Sequence, residues 1–300
     1  EISMASGSPF KADVLRGKVA LVTGGATGIG LGICTALGAH GAKIVIAARR
    51  QQVLQEAVDK LKAQGIDAFA VQCDVRHPEQ CAAAADSAAK HFGRLDILVN
   101  NAAGNFVVAA EDLTPNGFAT VLGIDVQGCF NMAKGALPHL KASGDALIIN
   151  ITATLQYKAT PFQAHAAAAK AAIDVLTNTL GVEWGSSGVR CVGIAPGPIK
   201  GTVGGPGGRV FGGGILDADD SPETVRRVVP LGRYGTTQDI RLTAVFLASS
   251  AGAFINAESI VVDGGQWHGA SFMFEMAKDA IREKSSQERK HFKGGVQKAK

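Results

Sequence analysis

The sequence predicts an α/β protein built on a doubly wound parallel sheet. Three observations carry this. Seven short apolar runs, most of them β-branched, recur along the 300 residues. Each is mostly unbroken rather than alternating with polar residues, the pattern of strands covered on both faces. Helix-patterned or alanine-rich stretches separate them, and such β-α-β alternation implies parallel neighbours joined by right-handed crossovers. Glycine reaches 38 residues and hydrophobic residues 46%, which suits tight turns and a large core.

The first run, residues 18–23, leads into Thr23-Gly24-Gly25-Ala26-Thr27-Gly28-Ile29-Gly30 and opens a helix. Glycines at 24, 28 and 30 permit a tight turn and a close backbone approach to a pyrophosphate. The helix N-terminus adds N–H groups and a partial positive charge. As the first βα unit of an alternating chain, this segment is expected to bind a dinucleotide. The second run, 43–48, is followed by Arg49-Arg50. An enzyme using NAD usually places a carboxylate near here for the ribose 2′-hydroxyl. Two arginines stand there instead, and a guanidinium holds a 2′-phosphate through paired hydrogen bonds. NADP(H) is therefore the expected cofactor, the alternative being that both arginines merely begin a solvated helix.

The third run, 68–72, precedes Asp74, which suits an adenine amino group or a cap on the next turn. The fourth, 95–100, ends in Asn100-Asn101-Ala102-Ala103-Gly104, at the carboxyl edge where ligands of such sheets bind. Runs at 146–151, 189–194 and 259–262 complete the sheet. Between the last two, residues 201–214 contain Gly204-Gly205-Pro206-Gly207-Gly208 and Phe211-Gly212-Gly213-Gly214. A mobile substrate lid is expected there. No linker divides 11–270, which read as one domain; 271–300 read as a peripheral helix and basic tail.

The net charge of +4 is concentrated in that tail, where eight Lys/Arg face four Asp/Glu, so the body is balanced. A nucleic-acid binder would carry a basic stripe on its folded body, and none is evident. No apolar run approaches the roughly 20 residues needed to span a bilayer. Cys34, Cys73, Cys81, Cys129 and Cys191 form no Cys-x-x-Cys pair, and the seven histidines show no paired ligand spacing. A reducing compartment is expected, with neither disulfides nor a metal site. Glu1-Ile2-Ser3 ahead of Met4 reads as a cloning remnant, with no secretory signal after it. The chain ends Lys298-Ala299-Lys300, which is not a Ser-Lys-Leu type peroxisomal address.

Thr-Gly-x-x-x-Gly-x-Gly at 23–30, Asn100-Asn101-Ala102, a helical Lys170 and Pro196-Gly197-Pro198-Ile199 resemble the motifs of the short-chain dehydrogenase/reductases, over roughly residues 11–268. The resemblance implies a Rossmann-like sheet and hydride transfer. It places Lys170 on the nicotinamide ribose, Ile199 on the carboxamide, and Asn101, Pro196, Gly197 and Thr202 around the cofactor. One position breaks the pattern. The family usually carries Tyr-x-x-x-Lys, whose tyrosine gives the substrate a proton. In His165-Ala166-Ala167-Ala168-Ala169-Lys170 the lysine is kept and Ala166 stands in the tyrosine's place.

A narrower resemblance accounts for the exchange. The segments Asn101-Ala102-Ala103-Gly104-Asn105-Phe106, Asn150-Ile151-Thr152-Ala153-Thr154-Leu155 and Glu183-Trp184-Gly185 are similar to the peroxisomal 2,4-dienoyl-CoA reductases, a branch without that tyrosine. It implies an aspartate and the lysine as catalytic groups. Asp125, in Gly123-Ile124-Asp125-Val126, stands where ordinary members carry asparagine, and pairs with Lys170 in this reading. The branch further implies NADPH, reduction of a 2,4-dienoyl-CoA to a 3-enoyl-CoA in unsaturated fatty acid oxidation, and a homo-oligomer, dimer or tetramer. The location it implies is the peroxisome, the cytoplasm being the alternative. Arg49 and Arg76 would lie near the phosphates of coenzyme A, Phe106 and Thr114-Pro115-Asn116 would line the acyl path, and Arg209 would add a contact from the glycine-rich loop. Plainer readings stand beside these: Arg76 as a solvated loop residue, Phe106 as core packing, and Asp125 as a structural cap or ion-pair partner.

The chemistry makes the exchange reasonable. Carbonyl reduction creates an alkoxide that needs a strong proton donor at oxygen. Reduction of a conjugated dienoyl thioester spreads charge onto the thioester oxygen and protonates carbon 2, so the oxygen needs stabilisation rather than a full proton. A water held by Asp125 and Lys170 would deliver the proton. Leu155 stands where a related mitochondrial branch has its catalytic tyrosine, and Tyr157 would serve only if that segment were shifted. Two other functions stay open: a carbonyl or ketoacyl reductase of the same fold, and a catalytically inactive NADPH-binding interaction protein. His165 reads as a substrate contact or as a helix-surface residue. The alanines at 164–172 read as an oligomer interface or as packing on the chain's own sheet.

Overall fold

A computed structural model describes residues 8–202 and 221–269. Arg209, most of the predicted lid and the 271–300 tail lie outside the described residues. All seven predicted runs are strands: β1 (Val19–Thr23), β2 (Lys43–Ala48), β3 (Ala68–Gln72), β4 (Ile97–Asn100), β5 (Ala146–Ile151), β6 (Val189–Pro196) and β7 (Glu258–Val262). They form one parallel sheet in the order β3-β2-β1-β4-β5-β6-β7. β4 starts two residues later than the sequence suggests, and Asp96 just before it engages β1 through both its backbone N–H and its side chain. Its buried carboxylate accepts the Val19 N–H at 2.8 Å and is gripped by Arg94 and Ser143. β6 is two residues longer than expected, its end pairing with Val262 of β7.

Helices α1 (Gly28–Ala39), α2 (Gln51–Lys62), α3 (Pro78–Phe92), α4 (Pro115–Leu122), α5 (Gly128–Ser143), α6 (Ala164–Gly185), α7 (Pro222–Val228) and α8 (Thr237–Ala248) connect or flank the strands. Two cores explain why the strands read as continuous apolar runs. On one face Ala20, Val22, Ile44, Ile46 and Ile149 pack with Leu37 of α1, Leu54 and Leu61 of α2, and Ile240 and Leu247 of α8. On the other, Val19, Leu21, Val45, Leu98 and Ile148 pack with Ala84 and Ala88 of α3, Met132 and Leu140 of α5, and Leu180 of α6. Successive strand residues point to opposite faces, so a strand with both faces covered has no polar positions to alternate. Each fully buried Leu or Ile contributes roughly 1.5–3 kcal/mol to folding. From β1 the chain runs outward to β2 and β3, then returns to place β4 on the other side of β1. The crevice at this reversal, outside the carboxyl ends of the strands, is where such sheets hold ligands.

Candidate active site

The turn after β1 is shaped from within. Gly24 and Gly28 have φ of +62° and +55°, the left-handed region that suits glycine. A Cβ on Gly30 would lie 2.5 Å from both the Asn101 amide nitrogen and the Gly24 carbonyl oxygen. Thr23 and Asn101 use their side chains to hold this turn against the end of β4. Thr23 Oγ1 accepts the N–H groups of Asn101 (2.9 Å) and Ala102 (3.0 Å), and Asn101 Nδ2 donates to the Thr23 carbonyl at 3.0 Å. Thr27 caps α1 without a side-chain hydrogen bond, so the first N–H groups of that helix suit a phosphate.

Arg49 and Arg50 are exposed beyond β2, Arg50 capping α2, whose first turn has no acidic residue. Asp74 does cap its own turn, accepting the Arg76 N–H at 3.1 Å. It also binds the Arg76 guanidinium through both oxygens, at 3.0 Å to Nε and 2.6 Å to Nη2. That guanidinium, helped by the turn N–H and by the charge of Arg49, lowers the Asp74 carboxyl to about 2 against the cost of its partial burial. Arg76 is thus an exposed loop residue held by Asp74, whose carboxylate also feels the charge of Arg49. Pro196 ends β6, and Gly197 donates to Val262 at 3.0 Å. Ile199 is buried, and Thr202 closes the following turn on the Ile199 carbonyl at 2.9 Å.

The predicted pair is brought together. Between α4 and α5 the helix takes a π-helical turn, Gly123–Gln127, which contains Asp125. Such turns hold an extra residue in a helix and are frequent at functional sites. Asp125 is 1% exposed. Its Oδ1 accepts the Gly104 N–H at 2.7 Å, and its Oδ2 lies 3.2 Å from Lys170 Nζ without making an aligned hydrogen bond. Lys170 Nζ also donates to the Ile151 carbonyl at the end of β5, at 3.1 Å. Ala166, one turn earlier on α6, is buried and carries no polar side-chain atom. The site therefore holds an ion pair where a hydroxyl donor is absent.

The wall beside this pair joins two segments far apart in sequence. Val108 N–H donates to the Phe162 carbonyl at 3.1 Å, and Asn105 Nδ2 donates to Gln163 Oε1 at 2.7 Å. Phe162 adopts φ +64°, rare for a bulky side chain. Phe106 is exposed rather than part of the core and stacks on His165, with centroids 4.2 Å apart. His165 is completely buried, which corrects its reading as a helix-surface residue. Its rotation on α6 turns it inward, a direction that an all-alanine neighbourhood conceals from periodicity. Thr114 caps α4 by accepting the Gly117 N–H at 3.0 Å, and with Pro115 and Asn116 it is exposed near Phe106. Tyr157 sits elsewhere, beside Asp174 and against Trp267.

The glycine turn at the strand-order reversal and the lysine on α6 agree with one further finding. The family model described as enoyl-(acyl carrier protein) reductase matches residues 24–266. The chain belongs to the short-chain dehydrogenase/reductase family. It is 45% identical to the peroxisomal 2,4-dienoyl-CoA reductase, (3E)-enoyl-CoA-producing, of Arabidopsis thaliana, over 93% of each chain. It is 41% identical to the protein of the same name from Danio rerio, over 86% of this chain and 84% of that one. A solved short chain dehydrogenase from Bacillus anthracis superposes with a TM-score of 0.73 at 36% identity, covering 86% of this chain and 99% of that one. A nicotinamide cofactor goes with this family, and the residues present fit one: a Cβ on Gly24, Gly25 or Gly30 would press on neighbouring atoms, so the backbone there stays bare, and α1 starts beside it.

Proposed function

We propose that this short-chain dehydrogenase/reductase is an NADPH-dependent 2,4-dienoyl-CoA reductase that forms 3-enoyl-CoA during oxidation of unsaturated fatty acids. The observation that carries the reading is the buried Asp125–Lys170 pair, with Ala166 one turn before the lysine on α6. Relatives named for this activity and this product support it. When bound, the cofactor supplies hydride. Reduction of the conjugated thioester leaves charge spread toward the thioester oxygen, and carbon 2 then takes a proton. Lys170 stabilises the negative charge and holds the cofactor ribose. Asp125, fixed by Gly104 and Lys170, orients a water that protonates carbon 2. Arg49 and Arg50 favour the 2′-phosphate of NADPH. Arg49 with Arg76 offers charge to coenzyme A, while Phe106 and residues 114–116 border the acyl chain.

A carbonyl reductase using Tyr157 is disfavoured by its surroundings. Burial and then Asp174 push the phenol up to about 12, away from a useful proton donor. An inactive cofactor-binding protein would have no need of a carboxylate paired with the family lysine. Exposed Phe130, Val175 and Val182 on α5 and α6 support a homo-oligomer, and the peroxisomal relatives support that location. The deciding experiment is oxidation of NADPH with a 2,4-dienoyl-CoA against a ketone and a 3-ketoacyl-CoA, with the double-bond position of the product assigned by NMR. Reduction of the ketone or ketoacyl substrate alone would refute the reading, and so would a 2-enoyl product for the 3-enoyl assignment.

A further inference from the structure

His165 is fully buried, and neither ring nitrogen makes a well-aligned hydrogen bond, the Phe106 backbone being the polar group against the ring. Buried polar atoms without partners are uncommon, and each calls for a reason. Stacking on Phe106 is no reason for the nitrogens, because a phenyl ring would stack equally well. Burial holds the imidazole below its usual range, with the Phe106 backbone and the Asp125 carboxylate pulling the other way, so burial favours the neutral ring. A neutral imidazole has one N–H donor. Asp125 Oδ2 nearby is likewise without a hydrogen bond. A donor and an acceptor within electrostatic reach, not bonded to each other, leave a place for a third group.

We propose that His165 donates its ring N–H to the thioester oxygen of the bound acyl-CoA, the oxyanion donor of a site whose tyrosine position is Ala166. The inference rests on the acyl-CoA reading above and names the contact that would stabilise the reacting oxygen. A thioester offers hydrogen-bond acceptors only, which matches an N–H and not the carboxylate. Phe106 stacks on the face of the imidazole and is itself 37% exposed, so the buried ring lies one side chain below the surface and its in-plane N–H points clear of the stacked face. A preorganised neutral donor aimed at developing negative charge acts mainly on the transition state.

The test compares wild type with His165→Phe, which keeps the stacked ring and loses the donor. Binding of decanoyl-CoA is measured against S-decyl-CoA, a thioether without the carbonyl oxygen, both with NADP+ present. Wild type should prefer the thioester by up to about tenfold, the scale of one neutral hydrogen bond. In His165→Phe the preference should vanish, NADPH affinity should hold, and the melting temperature should not fall. Dienoyl-CoA turnover should drop about a hundredfold or more, as when one oxyanion donor is removed. Retained thioester preference together with turnover within twofold of wild type would overturn the proposal. Should His165→Phe not fold, Gln and Leu at 165 decide, since both lose the ring and only Gln keeps a donor; equal thioester preference in the two overturns it. Wild type that binds acyl-CoA with the preference but reduces no dienoyl-CoA refutes the proposed reaction and leaves the His165 contact standing. Wild type without the preference refutes the contact whatever the reaction.

Discussion

A carboxylate as buried as Asp125 is stable only in company, and here the company is one backbone N–H and one ammonium. Removing a single partner of such a pair leaves the other uncompensated. Asp125→Ala should lower dienoyl-CoA turnover by about a hundred- to ten-thousandfold, the usual contribution of an acid–base group, with NADPH affinity nearly intact. Lys170→Ala should weaken both, and Tyr157→Phe should change neither. Steady-state kinetics with parallel cofactor titrations check all three, and the reverse pattern at Asp125 and Tyr157 would reject the aspartate. Arg49→Ala should weaken NADPH and leave NADH little changed; equal loss of both would reject the arginine argument for cofactor choice. At this scale the sequence was most informative where a motif fixed the address, as at Asp125 and Lys170. It was least so where a contact joins residues without a motif. Nothing in the string Gly104-Asn105-Phe106 says that its first N–H binds a carboxylate or that its phenyl ring covers a histidine.

Elements are held by end contacts that composition does not disclose. Arg190 lies in β6, yet its guanidinium donates to the carbonyls of Leu247, Gly252 and Ile255 at 3.0–3.1 Å, closing the C-terminal end of α8 and the turn beyond it. Arg190→Ala should destabilise the protein by about 2–3 kcal/mol, since hydrogen bonds from a charged donor are the stronger kind. Lysine should recover only part, having a single ammonium in place of the fork; denaturant melts measure both. At the other end of α8, Thr236 and Asp239 form a reciprocal capping box, and Arg233 binds the same carboxylate. Arg233 and the capping bonds hold Asp239 well below the usual carboxylate range, and Asp74 is lowered to about 2. The folded state therefore gives up these protons more readily than the unfolded chain. Their stabilisation is complete above about pH 4 and fades as pH falls toward 2. Acid unfolding of Asp239→Asn should start from lower stability at pH 7 and lose less between pH 4 and 2; an unchanged slope would contradict this.

Across the whole molecule, the sheet between two packed helical layers was legible from unbroken apolar runs, but the order of its strands was not. Each run looks alike, and only contacts between distant segments choose neighbours. The lid and Arg209 fall outside the described residues, so their part in the reading stays with the sequence alone. All five cysteines are free and buried in the two cores or at their edge. Burial also pushes most of their thiols up, Cys129 to about 12. Thiol labelling should therefore follow opening of the fold rather than local exposure, with all five reacting together. Saturating NADPH should slow every one of them alike, since a ligand that binds only the folded state stabilises all of it. One cysteine reacting early and indifferent to NADPH would show that the core opens in parts.

The π-helical turn at Asp125 has a consequence for how such a site is lost. An α-helix advances about 100° per residue, and a π turn is where one residue too many has been absorbed. Deleting Val126 would let the helix return to regular winding, with α5 still seated on its core residues. The backbone would gain hydrogen-bond regularity, while the carboxylate would swing about a quarter turn or more away from Lys170. A frame-preserving loss of one codon here would leave a protein that folds, binds its dinucleotide and no longer reacts. In this chain, stability and activity can part company by a change of phase, with every functional residue still present in the sequence.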